Sequence, residues 1–188
     1  MKVVGISGSI VGSKTRTAMD CVAKEISEKY PDAEFSHLDL ADYQIQFSDG
    51  RNYLEYDGDT GFVVKTIMEA DSIIIGTPIF QASIPATLKN IFDLLPVNAF
   101  RDKVISILVT AGSAKHYLVI EQQLKPIISY MKGQIVQTYV FMEEKDFHQK
   151  QIVNDDIFFR IERLVEDTIL LTQTFTKIRE AKEAEYDF

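Results

Sequence analysis

Ser72-Ile73-Ile74-Ile75-Gly76 is a strand-length apolar run that shows no alternation of polar and apolar positions. A strand with one face in water alternates, so a strand without alternation is covered on both faces, as the central strands of a parallel sheet are. Four more segments have strand length: Lys2 to Ile6, Ala33 to Leu40 (the most alternating), Lys103 to Thr110, and Gln134 to Met142. Helical stripes separate them. Thr15 to Tyr30 aligns Ala18, Cys21, Val22 and Ile26; Gly61 to Ala70 aligns Val63, Val64, Ile67 and Met68; Pro85 to Leu95 aligns Leu88, Ile91, Phe92 and Leu95. Ala114 to Lys132 carries Ile120, Leu124, Ile127 and Ile128, with Pro126 expected to bend or divide it. A last helix runs from Asp155 to about Ala181, with Asn154 as its N-cap and two aspartates in its first turn. Five cycles of strand and helix predict an α/β domain with a parallel sheet and helices on both faces.

The chain of 188 residues is the length of one domain, 1–188, and 46% apolar residues are enough for a core. No segment is apolar for long enough to span a membrane, and the opening run reads as a strand rather than a secretion signal. One cysteine, Cys21, fits a reducing cytoplasm and a core position. A net charge of −8 argues against a nucleic-acid partner, which needs a basic surface. The three histidines have no metal-ligand spacing, so no metal site is expected.

In an open parallel sheet, ligands sit beyond the C-terminal strand ends, where the strand order reverses. The order could be 2-1-3-4-5 or that of a truncated dinucleotide fold. Either brings together the loops Ser7 to Thr15, Thr77 to Pro85 and Thr110 to Lys115. The first is Ser7-Gly8-Ser9-Ile10-Val11-Gly12-Ser13-Lys14-Thr15-Arg16-Thr17. Hydroxyls, glycines and two cations at a helix start suit a phosphate, or else a plain turn capped by Ser13 or Thr15. Neither Gly-x-Gly-x-x-Gly nor Gly-Lys-Ser/Thr occurs there, which leaves a phosphate monoester as the best ligand. Thr77-Pro78-Ile79-Phe80 offers a stiff apolar edge for a flat ring, although Phe80 could instead be core, and Thr110-Ala111-Gly112-Ser113 leaves room for a ring to approach.

These loops, with Leu88-Lys89-Asn90-x-x-Asp93-x-Leu95-Pro96 and His116-Tyr117-Leu118, resemble the NADPH-dependent FMN reductase family, in particular the branch that includes the sulfonate-utilisation reductases. The resemblance spans roughly residues 2 to 142. It implies a flavodoxin-like doubly wound fold of five parallel strands in the order 2-1-3-4-5, FMN as cofactor, NADPH or NADH as donor, and a homodimer or homotetramer. By position it places Ser9, Ser13, Thr15, Arg16 and Thr17 around the FMN phosphate, Pro78, Ile79 and Phe80 along the isoalloxazine, and Thr110, Gly112 and Ser113 at its far edge. Hydride would pass from nicotinamide C4 to flavin N5, and onward to a quinone, azo, metal or oxygen acceptor, or as reduced FMN to a flavin-dependent monooxygenase. His116 is the one titratable group nearby and could contact the ring or donate a proton; it could equally be a surface residue of a helix start.

Two departures stand out. Ile10-Val11 occupy positions where relatives often carry arginine, so Lys14 or Arg16 must supply any cation. Ser83-Ile84-Pro85 stand about where some sulfonate-associated reductases insert a tyrosine linked to easy flavin exchange, which favours FMN held as a prosthetic group. The other class of function open to such a chain is a flavodoxin-type electron carrier without nicotinamide turnover.

Overall fold

The computed structural model describes residues 1–185. Five strand positions form a parallel sheet: β1 (Lys2–Ser7), β2 (Glu34–Asp39), β3 (Ser72–Pro78), β4 (Val104–Ala111), and a fifth divided into β5 (Gln134–Ile135) and β6 (Val140–Glu143). The order is β2-β1-β3-β4-β5, with β6 also on β4, as the doubly wound expectation requires. All seven residues of β3 are buried. Ile73 and Ile75 join the core on one face and Ile74 the core on the other, so the uninterrupted apolar run is accounted for by two covered faces.

Helices α1 (Lys14–Lys29) and α5 (Asp155–Ala184) cover one face, through Met19, Val22, Ile26, Ile161 and Val165. Helices α2 (Gly58–Glu69), α3 (Ala86–Leu94) and α4 (Lys125–Tyr130) cover the other, through Val64, Ile67, Leu88, Ile91 and Ile128. Cys21 is half-buried and packs against the first of these layers, where burial pushes its thiol pKa up. Asn154 caps α5 by accepting from the Asp156 N–H at 3.1 Å, as its position suggests.

Two expected elements differ. The fifth strand is not continuous over 134–142: Ile105 pairs Ile135, but Leu108 pairs Val140, so the register slips by two residues between them. In that interruption Tyr139 turns its ring into the core, and its hydroxyl donates to the Tyr117 carbonyl at 2.8 Å. The helix expected over 114–132 is likewise divided. A 3-10 turn (Ala114–His116) and a π turn (Ile120–Leu124) precede α4, whose first turn holds Pro126. Pro126 has no N–H to give, and the Lys125 N–H reaches back five residues to the Ile120 carbonyl.

The long connections are pinned. Ser48 in the tyrosine-rich segment donates its N–H to Asn90 Oδ1 at 2.9 Å and its hydroxyl to the Asp93 carbonyl at 2.9 Å, both on α3. After β6, a 3-10 turn (Glu144–Asp146) leads into a hairpin, β7 (Phe147–His148) and β8 (Gln151–Ile152). Its two turn residues, Gln149 and Lys150, have φ of 47° and 66°, the signs a type I′ turn demands.

Candidate active site

The site is built at the C-terminal end of the sheet. At the end of β1, Gly8 donates its N–H to the Gly76 carbonyl at 2.8 Å, and a Cβ on Gly8 would stand 3.1 Å from that oxygen and from Leu88. A side chain there would push Leu88 or the β3 backbone back by a few tenths of an ångström, so glycine gives the closest passage. Ser9 closes the next turn, its hydroxyl donating to the Val11 carbonyl at 2.8 Å and accepting from the Val11 N–H at 3.1 Å. Helix α1 then begins at Lys14, with Ser13 as its N-cap residue. The Ser13 hydroxyl makes no capping bond, and the first turn contains no acidic side chain. The N–H groups of that turn therefore keep their partial positive charge and a hydroxyl stands free beside them.

One cleft of about 440 Å³ joins this helix start to the other loops, a volume within the range of small-molecule sites. Val11, Gly12, Ser13, Lys14 and Thr15 line one end, Pro78, Ile79 and Phe80 one wall, and Thr110, Ala111 and Gly112 the other. Thr15 Oγ1 and Thr110 Oγ1 lie 3.0 Å apart, both buried, and tie the start of α1 to the end of β4. The Ile79 N–H donates to the Thr110 carbonyl at 3.0 Å, so β3 and β4 stay in register up to the cleft. Among the described residues, nothing beyond Gly112 and its two chain neighbours lies within 4 Å of where a Cβ on Gly112 would stand, so the wall there is open.

The Phe80 wall is a tight hairpin. Phe80 and Ser83 exchange both backbone hydrogen bonds at 2.9 Å, around Gln81 and Ala82 with φ of 45° and 58°. Left-handed backbone at residues other than glycine costs about 1–2 kcal/mol each, so something outside must hold the turn. Gln123, in the π turn, does so: it donates to the Ala82 carbonyl at 3.0 Å and accepts from the Ser83 hydroxyl at 2.6 Å.

Of the residues expected to surround a ligand, Ser13, Thr15, Pro78, Ile79, Phe80, Thr110 and Gly112 meet in this cleft. Ser9 borders an adjoining hollow with Ile10, Phe80 and Ile84. Thr17 turns away, its hydroxyl donating to the Lys150 carbonyl at 3.0 Å. Arg16 is also elsewhere: its guanidinium bridges the buried Asp39 and, at 2.9 Å, Asp42, and that pairing raises its pKa. Ser113 and His116 stand just beyond Gly112, off the cleft wall. His37 lies half-buried under the loop, its Nε2 2.9 Å from Ser7 Oγ, and burial lowers its pKa. Among the described residues no group of three or more His, Cys, Asp or Glu could hold a metal, and no helix is long and apolar enough to cross a membrane.

Glu144 is the lining residue that the sequence reading did not include. It pairs with Lys14 at the α1 end of the cleft, and Lys14 Nζ also sits 5.8 Å from the Phe147 ring centroid. The order 2-1-3-4-5 holds the clue, because it sets the loop after the fifth strand beside the loop after β4.

The sequence model of the NADPH-dependent FMN reductases matches residues 1–148 of this chain. The chain belongs to that family. It is 39% identical over 170 residues to the NAD(P)H-dependent FAD/FMN reductase of Geobacillus thermodenitrificans, covering 90% of this chain and 92% of the relative. It is 29% identical over 178 residues to the NADH-dependent FMN reductase SfnF of Pseudomonas fluorescens, covering 94% and 95%. Among solved structures, the apo form of the NADH:FMN oxidoreductase EMOB superposes with a TM-score of 0.74 at 26% identity, covering 90% of this chain and 88% of that one. As a member of the FMN reductase family, the chain is an oxidoreductase that uses FMN and NAD(P)H. The cleft fits that cofactor: free donors gather at a helix start at one end, and an open wall beside Gly112 lies along the other.

Proposed function

We propose that the cleft binds FMN with its phosphate at Ser13 to Thr15 and its ring between Pro78-Ile79-Phe80 and Thr110-Ala111-Gly112, and that electrons pass from NAD(P)H to a small-molecule acceptor. The observation that carries this reading is the single cleft in which an uncapped helix start and two ring-wide walls converge. A phosphate monoester accepts several hydrogen bonds, and the Ser13 hydroxyl and the first N–H groups of α1 offer them together. FMN, when bound, supplies the two-electron acceptor for the nicotinamide hydride. This chain's residues then have binding and positioning to do. Pro78 and Phe80 provide an apolar surface for a flat ring, and Gln123 fixes the hairpin that carries Phe80. Phe80 is 37% exposed, which leaves the ring side of the cleft accessible to a second planar molecule.

The acceptors consistent with so open a site are quinones, azo compounds, metal ions, oxygen, or free flavin passed on to a monooxygenase. A homodimer or homotetramer belongs to the same proposal. Phe47, Leu54 and Phe62, and Phe158, Phe159, Leu170, Leu171 and Ile178 on α5, are exposed apolar side chains in numbers that favour a protein partner. Light scattering giving the mass of one chain would remove the oligomer.

The test of the activity is anaerobic titration of the FMN-loaded protein with NADPH and with NADH. Loss of the oxidised flavin absorbance on adding nicotinamide is expected. A flavin that stays oxidised with both donors would replace the reductase reading by a flavodoxin-type carrier.

A further inference from the structure

Both cations of the phosphate loop already have partners. Arg16 is held between Asp39 and Asp42, and Lys14 is held by Glu144. The neighbourhood of the proposed phosphate thus has two cations set against three carboxylates, and one of those, Glu144, lines the cleft itself. Nothing in the local fold calls for a charge at this position. The 3-10 turn that Glu144 opens is closed by its neighbours, with the Glu143 N–H donating to Asp146 Oδ2 at 2.7 Å and Asn154 Nδ2 donating to Asp146 Oδ1 at 2.7 Å. Among the described residues the Glu144 carboxylate bonds only to Lys14.

We propose that Glu144 is a specificity residue that weakens retention of the phosphate, so that FMN exchanges in and out of this protein instead of staying as a prosthetic group. This rests on the placement of the phosphate at Ser13 to Thr15. A phosphate monoester carries a charge of about −1.5 to −2 at neutral pH. To gain Lys14 it must share or take the ammonium from Glu144, and in either case the carboxylate faces the phosphate across the same cleft end. The Glu144 side chain is 68% exposed, so water and salt dilute the repulsion. A single exposed charge a few ångströms from the ligand changes its affinity by about 3- to 10-fold at low ionic strength. Exchange opposes the retention expected from Ser83-Ile84-Pro85, and the difference lies in a residue from the fifth-strand loop that the first three loops do not reveal.

The experiment titrates apo wild type, Glu144→Gln and Glu144→Ala with FMN and with riboflavin, following quenching of flavin fluorescence at low and high salt. Both variants are expected to bind FMN about 3- to 10-fold more tightly than wild type, with riboflavin unchanged and the gain shrinking as salt rises. FMN affinity unchanged or reduced in both variants overturns the role of Glu144, as does an equal gain for riboflavin. If wild type prefers FMN over riboflavin but the variants gain nothing, only this inference falls. No preference for FMN over riboflavin in wild type or in either variant means that the phosphate is not at this seat, and both the placement and the inference fall together.

Discussion

Replacing Arg16 by alanine separates two roles that the loop sequence alone cannot distinguish. A cation three residues past Ser13 reads as a phosphate ligand, yet in the fold it neutralises Asp39, whose side chain is only 7% exposed. Losing one partner of a fully buried ion pair costs about 3–5 kcal/mol, because a charge is left stranded. Losing an exposed pair costs about 0–1 kcal/mol. This pair lies between those limits. The Arg16 side chain is 45% exposed, so water can replace it, and the Ala41 N–H still donates to Asp39 Oδ1 at 2.9 Å. We therefore expect Arg16→Ala to destabilise the apo protein by about 1–2 kcal/mol, a fall in Tm of about 2–8 °C for a domain of this size. Its FMN affinity should stay within about 2-fold of wild type, since the guanidinium is not in the cleft wall. Adding Asp39→Asn should restore much of the stability, because the amide oxygen keeps the Ala41 bond without a stranded charge. Thermal melting of the apo forms and FMN titration of the folded proteins measure both quantities. An unchanged Tm with a tenfold loss of FMN affinity would refute the reasoning and return Arg16 to the phosphate.

Three further outcomes are expected. Thr15→Val or Thr110→Val alone leaves the other buried hydroxyl without its 3.0 Å partner and should cost about 1–2 kcal/mol by urea unfolding, with the double variant less destabilised than the two single effects added. Gln81→Asn with Ala82→Gly puts residues suited to left-handed backbone into the Phe80 hairpin and should raise stability by about 0.5–2 kcal/mol in the same measurement. Burial holds the His37 pKa below its ordinary value, so the unfolded chain takes up that proton first as pH falls; stability is therefore full above about pH 6.5 and declines below it, and His37→Gln should flatten that decline in melts between about pH 7.5 and 5.5.

What the sequence made legible follows from how much of the outcome is local. The uninterrupted run at Ile73-Ile74-Ile75 demanded two covered faces, and a parallel sheet then forces the loops after β1, β3 and β4 to one end. The loops Ser7 to Thr15, Thr77 to Pro85 and Thr110 to Lys115 could be named on that ground, and the family resemblance singled out Ser13, Thr15, Pro78, Phe80, Thr110 and Gly112 within them. The rest depends on distant partners. The local sequence does not show Arg16 pairing with Asp39, because that partner lies at the end of β2, 23 residues away. Pro126 announced a break but not its form, since the π turn sits where Gln123 reaches across to Ala82 and Ser83. The split of the fifth strand turns on Tyr139, an apolar position in sequence whose ring goes to the core and whose hydroxyl finds Tyr117.

The two strained hairpins show how the cleft keeps its shape. Each places non-glycine residues in left-handed backbone, Gln81 and Ala82 in the hairpin that carries Phe80, Gln149 and Lys150 in the hairpin bonded to Thr17. Each is held by a side chain from another element: Gln123 grips the first, and the Thr17 hydroxyl takes the Lys150 carbonyl of the second. Strained turns persist only where the surroundings over-determine them, so these anchors fix the walls in the protein alone. Hydride transfer between two planar rings leaves the protein little chemistry to perform but depends steeply on their separation and alignment. A cleft whose walls are set by neighbouring elements could release one flavin and receive the next without rebuilding that alignment, which would be the mechanical counterpart of the weakened phosphate retention proposed for Glu144.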